Sequence, residues 1–101
     1  MTKDLSGLEP FRRRLDVLDD DIVRLLGERF DICRDVAAYK SEHGIPMMQP
    51  DRVEIVRNRY LDRGTTANLP PAFTGALFDL LIASTCRLED ELMDAAVEAE
   101  R

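Results

Sequence analysis

An apolar seam too long for the chain that carries it constrains this sequence more than any other feature. Apolar residues fall at Phe11, Leu15, Leu18, Ile22 and Leu25, resume at Ile32 and Val36, and end at Tyr39. Steps of three and four residues are helical rather than strand-like, so the spacing predicts one helix from Phe11 to Lys40. A helix of about 30 residues spans about 45 Å, whereas a compact domain of about 100 residues has a radius of gyration of about 13 Å. A single copy of this 101-residue chain cannot wrap such a helix. A helical dimer is therefore expected.

The seam is interrupted by positive charge. Four residues beyond Leu25 it reaches Arg29, where another Leu or Ile would continue the pattern. Lys40 follows eleven residues later, three turns on, and leaves the helix from nearly the same face. A buried ammonium or guanidinium has to be paired, either with protein carboxylates or with an anionic ligand. Arg12 lies seventeen positions before Arg29 and on a different side of the helix. If both serve one site, they come from different chains.

Composition narrows the classes of partner. The net charge of −6 argues against nucleic acid, which needs a basic surface. The chain has no apolar run of membrane-spanning length and no signal peptide at its polar start, so a cytoplasmic protein is expected. Cys33 and Cys86 lie in separate helical segments without a CxxC pair and read as buried thiols rather than a disulfide or metal site. Neither a Gly-rich phosphate loop, an HExxH motif nor zinc-ligand spacing occurs. The single His43 falls among polar residues at a helix end and reads as a surface residue.

The rest of the chain also reads as helix. Residues 1–7 form a flexible lead-in. The first helix starts near Leu8, with Ser6 as its cap and Pro10 in its first turn. It ends between Ser41 and Gly44, the glycine supplying a left-handed turn. Pro46 and Pro50 keep the next stretch out of a helix until Pro50 itself opens a second one, expected to run to Arg63 and stop at Gly64. Pro70 and Pro71 open a third, reaching about Ala96, with Phe73, Leu77, Leu81, Thr85, Leu88 and Leu92 as its inward strip and Glu89 beside it. The fold class is all-α, with long, short and long helices over residues 8–96 and a tail at 97–101.

Arg12, Arg29, Lys40, Arg52 and Glu89 make up the constellation with chemistry in it. Arginine offers a planar fork that matches a carboxylate, and lysine a movable point charge, so the set suits a small dicarboxylate. The plainer alternative pairs each cation with one of the 20 acidic side chains at the surface, where ion pairs contribute little. Arg29 fits that alternative least, because of its seam position. Met47 and Met48 read equally as core filling or as a soft wall against a ligand.

Over about residues 8–93 the chain resembles the all-helical chorismate mutase family. The resemblance rests on Leu15-Asp16, Leu18-Asp19, Leu25-Leu26-Gly27-Glu28-Arg29, Tyr39-Lys40, Pro46, Asp51-Arg52, Leu77-Phe78 and Leu81-Ile82. It implies an intertwined homodimer with two equivalent sites, each completed by an arginine from the partner's first helix, here Arg12. It also implies a pericyclic rearrangement that uses no nucleophile, metal or cofactor. Arg12 and Arg29 would clamp two substrate carboxylates in a compact conformer. Lys40 would meet the ether oxygen as negative charge develops on it, and Arg52 would reinforce the positive site. Thr85 belongs to the expected substrate-binding set.

Glu89 stands where many bacterial relatives carry glutamine. A carboxylate cannot donate a hydrogen bond, so Glu89 would have to act protonated, with burial favouring that form and neighbouring cations opposing it. Val53 stands where a carboxyl residue usually receives the ring hydroxyl, and Gln49 replaces an aspartate, so the corner that holds the ring substituent differs. Tyr39-Lys40-Ser41, the run from His43 to Pro50 and Cys86-Arg87-Leu88-Glu89-Asp90 resemble 4-amino-4-deoxychorismate mutases of aminophenylalanine-derived antibiotic pathways. That resemblance implies a nitrogen on the ring at C4, held by Met48, Gln49 and Val53. An ordinary chorismate mutase, an isochorismate-pyruvate lyase, of which Val53 is also reminiscent, and a non-catalytic helical dimer or regulatory partner are the alternatives.

Overall fold

A computed structural model describes residues 3–99, all of whose regular structure is helical. A 3-10 turn (Ser6–Leu8) precedes α1 (Glu9–His43), which is followed by α2 (Pro50–Thr66) and α3 (Pro71–Ala99). The expected order of long, short and long helices holds. The tail expected at 97–101 is still helix as far as Ala99, and its last two residues lie outside the described residues, as do the first two of the lead-in.

The start of α1 differs from expectation. It begins one residue later than Leu8, and Ser6 belongs to the 3-10 turn. The Ser6 backbone N–H donates to Asp4 Oδ1 at 2.9 Å, so the exposed Asp4 carboxylate organises this turn. Hydrogen bonds from the Ser6 backbone and then its side chain hold the Asp4 carboxyl below its usual range.

At its other end α1 closes as predicted. Gly44 has φ +64°, and the Ile45 N–H donates to Lys40 O at 2.9 Å, the closure that a left-handed residue makes possible. Pro50 then takes the first turn of α2, where its missing N–H is not needed.

The stop of α2 is three residues past the one predicted. Gly64 is buried inside the helix, and the left-handed residue is Asn68, at φ 61°. Asn68 N–H donates to Thr65 O and Leu69 N–H to Gly64 O, at 3.1 and 2.8 Å. Gly64 is a glycine for another reason. A Cβ there would lie 2.5 Å from Thr74 Oγ1 and 2.8 Å from its Cγ2, so the glycine lets α3 approach α2.

Packing divides the chain into two units, Met1–Ile32 and Cys33–Arg101. The core of the second is Ala37, Phe78 and Leu81, with the Tyr60 and Phe78 rings edge to face at 5.0 Å. The buried strip of α3 runs through Thr74, Gly75, Phe78, Leu81, Thr85 and Glu89. It is rotated from the expected one: Phe73 is exposed, Leu92 is too, and Glu89 lies on the strip rather than beside it. In the first unit the seam is uncovered, Phe11 being 58% and Ile32 62% exposed, with Leu15, Leu18, Ile22 and Leu25 similar.

Candidate active site

Lys40 and Glu89 meet inside the second unit. Lys40 comes from the last turn of α1, and Glu89 from the buried strip of α3 one turn beyond Thr85. Lys40 Nζ lies 3.0 Å from Glu89 Oε1, with side chains only 13% and 9% exposed. A second acceptor, the Met47 carbonyl oxygen, lies 2.6 Å from the same nitrogen. A buried ammonium needs such partners, because desolvation without them costs several kcal/mol or more. Ser41 to Gln49 return the chain past Lys40, which brings the carbonyl of Met47 within reach.

Thr85 is buried and turns its hydroxyl inward along the helix, donating to Leu81 O at 2.9 Å. It is satisfied without a ligand, and its hydroxyl has to rotate to donate to one. Cys86 borders the pair. Burial pushes its thiol above the usual range, the Glu89 carboxylate pushes it further, and Lys40 opposes the shift. Both cysteines are free thiols and only half-buried, in place of the buried thiols expected.

The predicted ring-facing residues cluster at the start of α2. Gln49 is its N-cap residue, yet its side chain makes no capping hydrogen bond, so the amide is available to a ligand. Val53 is half-buried, and Met48, Gln49 and Arg52 are exposed. In the first unit Arg29 is half-buried, in keeping with its seam position, and has interactions of its own. Arg12 is exposed and held by Glu9 at 3.0 Å, the ordinary surface pairing weighed above. His43 is also exposed, stacked on Tyr39 with ring centroids 4.0 Å apart and Nδ1 placed 2.9 Å from Tyr39 O.

One feature escaped the sequence and a second was only partly visible in it. No side-chain pattern announces the Met47 carbonyl, because every residue has one. The proximity of Cys86 to Lys40 and Glu89 was legible in part, since it sits three residues before Glu89 on α3. A hollow of about 350 Å³ between α2 and α3, bordered by Tyr60, Gly64, Leu69, Thr74 and Leu77, shares no residue with the Lys40–Glu89 pair. Among the described residues, no helix is long and apolar enough to cross a membrane.

The regular structure of the described residues is thus all helical, with a buried lysine–glutamate pair inside the second unit. A family model described as chorismate mutase type II matches residues 11–90. The chain belongs to that family, which is one of isomerases, and its substrate is of the chorismate type. Among curated proteins it is 38% identical over 88 residues to the 4-amino-4-deoxychorismate mutase of Streptomyces venezuelae, covering 87% of this chain and 85% of that protein. It is 39% identical over 84 residues to the enzyme of the same name from Streptomyces pristinaespiralis, covering 83% of this chain and 65% of that protein. The chorismate mutase of Methanocaldococcus jannaschii is 26% identical over 90 residues, 89% of this chain and 91% of its own.

Proposed function

We propose that this chain is a 4-amino-4-deoxychorismate mutase that rearranges 4-amino-4-deoxychorismate to 4-amino-4-deoxyprephenate. The observation that carries the reading is the contrast in identity. Two relatives of that name share 38% and 39% of aligned residues with it, against 26% for the relative named chorismate mutase. The start of α2 supports it, since Val53 supplies no hydrogen-bond acceptor and the Gln49 amide makes no cap. The expected role in antibiotic assembly and a cytoplasmic location belong to the same proposal.

Arg12 of one chain and Arg29 of the other clamp the two substrate carboxylates and hold the enolpyruvyl group over the ring. Lys40 faces the ether oxygen and stabilises the charge that grows on it as the C–O bond lengthens and the C–C bond forms. Glu89 contributes a second hydrogen bond to that oxygen when protonated. Oε1 accepts from Lys40, which leaves Oε2 to carry the proton. Arg52 keeps the site positive, the Thr85 hydroxyl rotates to donate to a carboxylate, and Met48, Gln49 and Val53 surround the C4 substituent.

The site is shared within a homodimer. The uncovered seam from Phe11 to Leu25 supports this, because more than half-exposed Phe, Leu and Ile in a row form an apolar patch of the kind that marks a protein interface. Phe73 and Leu80 on α3 are similarly exposed and offer further apolar surface for the second copy.

Val53→Glu tests the substrate assignment. Restoring a carboxyl acceptor at this position raises kcat/KM for chorismate relative to the amino substrate, by about tenfold if one charged hydrogen bond is gained. A ratio that does not move would remove Val53 from the C4 pocket.

A further inference from the structure

Lys40 is tied to the connection between α1 and α2 at both of its ends. Its backbone carbonyl accepts from the Ile45 N–H at 2.9 Å, and its ammonium donates to the Met47 carbonyl at 2.6 Å. Gly44 lies between, in the left-handed region at φ +64°. A Cβ at Gly44 would meet no atom within 4 Å, so backbone conformation and not space calls for glycine here. The turn it permits directs the following residues back toward the lysine in the last turn of the helix.

We infer that the Met47 backbone carbonyl positions the Lys40 ammonium for reaction, which makes the Gly44-to-Gln49 connection part of the catalytic apparatus. The inference rests on the reading of Lys40 as the group that meets the ether oxygen. An ammonium has three hydrogens to donate. Glu89 Oε1 takes one at 3.0 Å and Met47 O another at 2.6 Å. With two N–H directions fixed on a tetrahedral nitrogen, the third is fixed as well. A flexible four-carbon stem thereby ends in a directed donor, and its ordering entropy is lost before substrate arrives.

The two acceptors act differently. The Glu89 carboxyl accepts from the ammonium but neutralises its charge whenever it is ionised, whereas an amide carbonyl is a neutral dipole at every pH that holds the ammonium and leaves its charge intact. At a site where positive charge stabilises a developing oxyanion, the shorter bond is to the acceptor that preserves that charge. Met47 is a positioning residue here through its backbone, so its side chain can vary without loss of this role.

The test replaces one amide by an ester in the full chain. Converting the Met47–Met48 amide weakens the Met47 carbonyl as an acceptor while keeping every side chain. The same change one residue earlier weakens the Pro46 carbonyl, which accepts no hydrogen bond among the described residues. The first ester is expected to lower kcat by about three- to tenfold with KM nearly unchanged. It is also expected to shift the Lys40 ammonium resonance in 1H–15N spectra and to speed its hydrogen exchange. The second ester should leave kcat and that resonance in place. Equal losses in both esters, or a Lys40 resonance indifferent to the first, would overturn the inference. Absence of turnover in the unmodified chain, with the resonance still responding to the first ester alone, would instead defeat the proposed function.

Discussion

The Lys40 ammonium and the Glu89 carboxylate lie 3.0 Å apart with little exposure of either side chain, and each is the other's charged partner. Removing one leaves the other buried alone, which typically costs about 3–5 kcal/mol. Lys40→Ala is therefore expected to lower stability by about 3 kcal/mol and to abolish turnover. Glu89→Gln keeps an oxygen acceptor for Lys40 but removes its counter-charge, and is expected to cost less than Lys40→Ala, about 1–2 kcal/mol. Urea unfolding of both variants at one protein concentration checks the order. Equal stability of Lys40→Ala and the unsubstituted protein would contradict it.

The role of Glu89 gives activity a direction with pH. Only the protonated carboxyl donates to the ether oxygen, so kcat is expected to be higher in acid and to fall as pH rises. Glutamine donates at every pH in this range, and Glu89→Gln should turn the falling profile flat. A pH–rate series for the two proteins decides the matter, and identical profiles would take Glu89 out of the donor role.

Cys86 reports on the same environment without any substrate. Burial, and after it the Glu89 carboxylate, pushes the thiol up, so less thiolate is present at pH 8 than on an unstructured cysteine. Since thiolate is the nucleophile, iodoacetamide should label Cys86 more slowly in the folded protein than in denaturant. Glu89→Gln removes one of the groups raising the thiol and should accelerate labelling in the folded state. Peptide mass mapping separates Cys86 from Cys33, and a rate unaffected by Glu89→Gln would contradict the electrostatic contribution.

Shared sites predict complementation. Arg12→Ala and Arg29→Ala should each be nearly inactive alone. In an equal mixture that exchanges chains, half of the dimers are mixed, and each mixed dimer owns one intact site. About a quarter of the sites of the unsubstituted protein should then return. No recovery after demonstrated exchange would place Arg12 and Arg29 in the same chain's site or outside it.

Gly64 and Thr74 predict a packing effect that reverses with context. Gly64→Ala gains about 1 kcal/mol of helix propensity. Its Cβ, however, collides with Thr74 Oγ1 and Cγ2 at 2.5 and 2.8 Å. The branched Thr74 side chain also donates to Pro70 O and cannot easily swing away. Overpacking at about 1–3 kcal/mol outweighs it, and a net loss of up to about 2 kcal/mol is expected. With Thr74→Ala already present, the same substitution should become neutral or stabilising. Thermal melts of the four proteins in this cycle measure the coupling.

What could be read from the sequence follows from what each residue type alone determines. The helix boundaries at Gly44 and Pro50 were legible because a left-handed glycine and an N-terminal proline are local, steric signals. Gly64 misled because a glycine that ends a helix and one that admits a neighbouring helix look alike until the neighbour is placed. Glu89 was legible as a carboxyl near the α3 strip. That it lies on the strip was not, since the apolar residues Phe73 and Leu92 pulled the expected strip aside while uncovered in one chain. The Lys40–Glu89 pairing needed the tertiary fold, 49 residues separating them, and the Met47 carbonyl has no side-chain signature.

The substrate is decided by a side-by-side assay of the purified protein with 4-amino-4-deoxychorismate, chorismate and isochorismate, products being identified by mass. The expected result is a clear preference in kcat/KM for the amino compound and formation of 4-amino-4-deoxyprephenate. Preference for chorismate would contradict the account of Gln49 and Val53 and leave an ordinary chorismate mutase, and pyruvate release from isochorismate would make the protein a lyase.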